Sequence, residues 1–173
     1  MNHYAAKPTS RDNIARMANE FRSILGAENK LYFPIIQVIE LILPQIDSDF
    51  DYEIVEEDEL PKGVYAITYP DTSLMKIRRD VYDEVCEDRG RARFTLAHEI
   101  FHYIFHDQPN ISFARSTDKI PSYMDPEWQA NTFAAELLIP RDLVKGLTVD
   151  EIMEKCGVSR QCASIQMKYL KKN

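Results

Sequence analysis

The chain has 173 residues, of which 45% are hydrophobic and 28% charged, and its net charge is −7. That is the composition of an ordinary globular protein with one domain or one domain and a small appendage, and it excludes wholesale coating of nucleic acid. Three scattered cysteines, Cys86, Cys156 and Cys162, exclude a disulfide framework or a paired-cysteine zinc ribbon, and a reducing cytoplasm is expected. The start "MNHYAAKPTSRDN" lacks an apolar core, so no signal peptide is expected, and no apolar run approaches a membrane span.

In chain order, "TSRDNIARMANEFRSILG" predicts a first helix. Ile14, Met17, Phe21, Ile24 and Leu25 recur at helical spacing, with Ser10 to cap the start and Gly26 the end. "FPIIQVIELILP" predicts a second, buried helix bounded by Pro34 and Pro44. Eight carboxylates crowd Asp47–Glu59, and Phe50, Tyr52 and Ile54 alternate with acids, which predicts a strand with one wet face. "GVYAITY" and "SLMKIRR" predict two strands around a Pro-Asp-Thr turn, the second being the free edge for an extended peptide. A third helix is expected from about Gly90 to His106, then a loop over "ISFARSTDKIPSYM". "DPEWQANTFAAELLIP" restarts helix, with Asp125 as cap, Pro126 at its first position and Pro140 as terminator. In the tail, Thr148 and Ser159 can each cap a short helix around Gly157 and Val158.

The chemistry concentrates in "FTLAHEIFHYIFH", which holds three of the four histidines. His98 and His102 are four apart and share one helical face, with Glu99 beside them. This is H-E-x-x-H: two nitrogen ligands for zinc and a carboxylate to serve as base. The helix is apolar nearly all round, hence buried, and burying two imidazoles and a carboxylate is costly unless a cation compensates them. His106 is about 12 Å further along a straight helix than His98, too far to share the ion, so it is expected behind the ligands or in the packing.

A third ligand is then expected from another helix. Glu127 and Asn131 are four apart on one face of "EWQANTFAAE", whereas Glu136 points to the opposite side. That is the gluzincin arrangement, in which a helix supplies a glutamate ligand and a polar residue one turn later holds a ligating histidine by its other nitrogen. Tyr103, His106, Arg115 and Tyr123 are candidates to steady the oxyanion.

"RFTLAHEIFHYIFH" followed by "EWQANTFAAELLIP" resembles the ImmA/IrrE family of metallopeptidases over roughly residues 64–140. The resemblance implies His98, His102 and Glu127 as zinc ligands and Glu99 as catalytic base. It implies an α+β, zincin-like core: a small antiparallel sheet of about three strands, the H-E-x-x-H helix and the glutamate-bearing helix, with extra helices at both ends. Residues 1–140 would form the metallopeptidase domain and 141–173 a helix-turn-helix-like extension. Some family members cleave a helix-turn-helix repressor and others occur in toxin–antitoxin pairs. The expected function is therefore a Zn2+-dependent endopeptidase acting on a helix-turn-helix repressor encoded nearby. A partner-binding toxin module, or a DNA-binding regulator with a structural zinc, are the competing readings. The segment 141–173 carries seven Lys/Arg against four Asp/Glu, a thin basis for DNA binding.

Overall fold

The computed structural model of the protein describes residues 3–106, 111–114 and 120–171. Ser10 opens the first helix, its hydroxyl accepting from the Asn13 N–H, and α1 runs Arg11–Ile24. Gly26 follows with φ +61°, the left-handed turn by which the chain leaves the helix. The next helical segment departs from expectation. It runs as α2 (Ile35–Gln37), a π-helical stretch Val38–Ile42 and α3 (Leu43–Ile46), and so continues past Pro44. A proline ring crowds the carbonyl four residues back, and the wider π turns just before it relieve that crowding.

β2 (Asp51–Val55) exposes Asp51 and Glu53 and half-buries Tyr52 and Ile54, the alternation expected. β3 (Ala66–Tyr69) and β4 (Leu74–Arg78) pair antiparallel. β2 lies parallel to β4 on its other side, so the three-stranded sheet is mixed, in the order β2-β4-β3. β4 is therefore the central strand and not the expected edge. The apolar content explains this: Met75 and Ile77 of β4 are fully buried, whereas the acids of β2 suit an outer strand. Three elements have no counterpart among the elements expected from the sequence. α4 (Arg79–Cys86) follows β4 directly, without a side-chain cap to announce it. β1 (His3–Ala6) pairs with β5 (Ile111–Ala114) as a second, two-stranded sheet, although the sequence predicts loop over "ISFA". Four-residue strands carry too short a period to stand out.

α5 (Gly90–Phe105) and α6 (Pro126–Leu138) form the centre. They pack on each other, with α1 over α6 and β3 over α5. Phe101 of α5 and Phe133 of α6 meet with ring centroids 5.0 Å apart, both fully buried, beside Leu96, Ile100 and Leu137. Each such side chain contributes about 1.5–3 kcal/mol by leaving water, so packing is a main determinant of how the two helices face each other.

The tail forms α7 (Val149–Cys156), capped by Thr148 and Glu151 together, and α8 (Arg160–Leu170), capped by Ser159. Ile152, Cys156, Val158 and Ala163 join the same apolar cluster. Arg93 of α5, buried to 1% exposure, binds the tail from the other side. Its Nε donates to the Gly157 carbonyl at 2.8 Å, closing the C-terminus of α7, and its Nη2 donates to the Phe33 carbonyl at 2.8 Å. No helix among the described residues is long and apolar enough to cross a membrane.

Gly90 starts α5 against the α7–α8 turn, and a Cβ there would lie 2.4 Å from Ser159 N and from the Val158 carbonyl carbon. Those obstacles are backbone and cannot rotate away. Gly90→Ala is expected to lower unfolding stability by at least about 1–3 kcal/mol, the usual range for overpacking. Urea denaturation of the two proteins measures it; equal midpoints would mean that the tail does not press on α5.

Candidate metal centre

α5 and α6 bring two imidazoles and a carboxylate together. His98 and His102 project from one face of α5 with their Nε2 atoms 2.9 Å apart. Glu127 sits in the first turn of α6, started there by Pro126 and by the Asp125 carboxylate, which accepts the Glu127 N–H at 3.0 Å. Its Oε2 is 3.3 Å from His98 Nε2 and its Oε1 3.3 Å from His102 Nε2. One turn further on, Asn131 Oδ1 accepts from His98 Nδ1 at 3.1 Å. On the far side of His102, its Nδ1 is 2.8 Å from His106 Nδ1, and His106 Nε2 is 3.0 Å from Gln129 Oε1.

This cluster fits a divalent ion on its own geometry. A tetrahedral zinc with bonds of about 2.0–2.1 Å holds its ligand atoms about 3.3 Å apart, close to the spacings found. Asn131 Oδ1 is an acceptor, so His98 carries its proton on Nδ1 and turns a lone pair inward at Nε2. Among the described residues, His98, His102 and Glu127 are the one group of three or more His, Cys, Asp or Glu side chains gathered closely enough to hold a metal. Two nitrogens and one carboxylate oxygen are a borderline donor set of the kind zinc takes.

Glu99 lies next to this group but differs from Glu127 in burial and in its hydrogen-bond partner. It is 8% exposed, and Thr68 Oγ1 of β3 donates to its Oε2 at 2.8 Å. Burial raises its carboxyl above the usual range, against the pull of His102, His98 and Thr68. Glu127 is mostly exposed, and His102 and His98, which donate to it when protonated, hold its carboxyl well below the usual range. Burial disfavours the charged form of His98, yet Glu127, Glu99 and Asn131 outweigh it and raise its pKa. His106, enclosed and 4% exposed, is lowered by burial.

The remaining sequence candidates lie elsewhere. Glu136 is buried on the opposite side of α6, bound by Arg11 Nε at 3.0 Å and Arg141 Nε at 2.7 Å. Tyr103 faces away from the cluster: its hydroxyl donates to Asp47 and its ring packs on Phe50. His106 stands behind His102, so neither residue is aimed at a reacting carbonyl. The Tyr123 side chain is half exposed, and its backbone carbonyl is what the neighbourhood uses. Arg115 lies outside the described residues. Thr68 and Gln129 escaped the sequence reading. Thr68 is one polar residue in an apolar strand, and Gln129 is a polar residue among helix formers; no spacing pattern marks either.

The comparisons with known proteins fit this picture. No curated protein matches the chain. Among solved structures it is similar to a Mycobacterium tuberculosis transcriptional regulator, with a TM-score of 0.57 and 17% identity over 89% of this chain and 46% of that one. The chain thus spans about half the length of that protein, and at this identity the likeness is one of fold. The sequence pattern of the IrrE N-terminal-like domain, Peptidase M78, matches residues 36–168, from α2 through most of α8. The chain belongs to that family of metallopeptidases, the IrrE N-terminal-like domains.

Proposed function

We propose that this protein is a zinc-dependent endopeptidase whose substrate is a helix-turn-helix transcriptional repressor. The observation that carries the reading is the placement of a buried, hydrogen-bonded carboxyl, Glu99, beside the convergent His98, His102 and Glu127. A site that only braced the fold would have no use for Glu99. The substrate class rests on the family resemblance.

Zinc held by His98, His102 and Glu127 would supply a Lewis acid that polarises a peptide carbonyl and acidifies water. The chain supplies the rest. Glu99 Oε2 is engaged by Thr68, so Oε1 is the oxygen free to take a proton from the attacking water. Glu99 then returns that proton to the leaving amine nitrogen. Burial favours the protonated form between these two transfers. Among the described residues β3 pairs on one side only, with β4. Its other edge, next to Thr68, suits an extended peptide that adds as a further strand. The direct experiment is incubation of the zinc-loaded protein with the helix-turn-helix repressor encoded beside it. One discrete cut is expected, and an intact repressor under conditions that load zinc would remove this substrate.

Metal content comes first among the tests. About one zinc per chain is expected, and His98→Ala, His102→Ala or Glu127→Ala should each abolish tight binding. Glu136→Gln should keep zinc, although removing the charge that pairs with Arg11 and Arg141 lowers stability. Competition with a chelator reads all four variants, and zinc lost from Glu136→Gln but retained by Glu127→Ala would reverse the ligand assignment.

Glu99→Gln separates chemistry from binding. The amide cannot accept the water proton, so zinc and fold should persist while cleavage falls about 10²–10⁴-fold. Cleavage at the native rate would exclude Glu99 as the base.

A further inference from the structure

The chain of hydrogen bonds behind His102 ends on backbone, and that end dictates the protonation of every group along it. Gln129 is 2% exposed, and its Nε2 lies 2.9 Å from the carbonyl oxygens of both Lys7 and Tyr123. Carbonyl oxygens only accept, so the amide NH2 must face them. Turning the amide over would press Oε1 against two other oxygens at that distance. Oε1 therefore faces His106, and His106 Nε2, 3.0 Å away, must donate to it. A neutral imidazole has one N–H, which leaves a lone pair on His106 Nδ1. His102 Nδ1, 2.8 Å from that lone pair, must then carry its own proton. His102 Nε2 is left bare, and this is the atom 3.3 Å from Glu127 Oε1.

We propose that His106 and Gln129 are positioning residues that lock His102 in its metal-ready tautomer, with the Lys7 and Tyr123 carbonyls as the fixed end of the relay. The inference rests on the metal centre described above but not on proteolysis. Each link is held from the side as well. The His106 ring stands edge-on to Phe101 at 4.9 Å with an interplanar angle of 85°, so it cannot swing freely. The Tyr123 carbonyl also accepts the Thr9 N–H at 2.9 Å, which ties the relay to the segment between β1 and α1. Without the relay, His102 shares its proton between two nitrogens, and one of those forms blocks the metal with an N–H.

Long-range proton–nitrogen correlation spectra of the full chain labelled with nitrogen-15 histidine test this directly, with and without zinc, at mildly alkaline pH. The expected result is His106 protonated on Nε2 and bare on Nδ1, and His102 protonated on Nδ1, in both samples. A proton on His106 Nδ1, or on both of its nitrogens, would overturn the proposal. Gln129→Met keeps length and burial but removes the acceptor and both donors. It should mix the two His106 tautomers and weaken zinc binding about 10–100-fold, as loss of a partner behind a ligand does. Leu138→Ala, fully buried on the same helix, controls for packing and should leave zinc affinity unchanged. Native zinc affinity in Gln129→Met would also overturn the proposal. Should that variant fail to fold, the spectra of the unmodified chain still decide. A protein that bound no zinc would sink the metal centre, while the metal-free spectrum would still report the relay.

Discussion

The contact between Phe101 and Phe133 is the constraint on which the site depends. It helps to fix the distance and rotation between α5, which carries His98 and His102, and α6, which carries Glu127. Close packing leaves such a joint few alternative arrangements, since a shift of even one methylene is felt throughout a core. The donor atoms of His98, His102 and Glu127 converge at spacings that suit one shared cation.

Three glutamates show how the surroundings divide labour among identical side chains. Glu127 is wet and paired with imidazoles, which favours its charged form. Glu99 is dry and steadied by one hydroxyl, which favours the proton. Glu136 is buried but neutralised by Arg11 and Arg141, and it joins α1, α6 and the segment after α6. Burial dominates the shift at Glu99, and hydrogen bonds dominate it at Glu127. The proposed base and the proposed ligand are separated by these influences and not by sequence, since both are exposed to the same pair of histidines.

Features that depend on neighbours in sequence were readable from it. The caps at Ser10, Asp125, Thr148 and Ser159 all accept the backbone N–H they should, and the helical extent of α5 and α6 follows from period and proline. The convergence of Glu127 with His98 and His102 could be anticipated because spacing on one helix determines which residues share its face. What escaped depends on partners far along the chain. Thr68 meets Glu99 across 31 residues and Gln129 meets Lys7 across 122, and no local pattern encodes either meeting. The strand order escaped for the same reason: β2 pairs with β4 across the intervening β3, which lies on the opposite side of β4. α4 was hidden because the alternation of β4 runs into it without a capping side chain.

The Arg93 knot sets a phase. Arg93 is committed to the tail and the loop before α2, while His98, five residues later on the same helix, is committed to the metal cluster. Of the residues in α5, only Arg91 is exposed, so the rod has no idle face on which to absorb an error. A deletion or insertion of a single residue between Arg93 and His98 would turn one commitment about 100° away from the other. The spacing between these two residues is thus a length standard built into the protein: substitutions along it can be repacked, but its count cannot change without surrendering either the tail or the cluster.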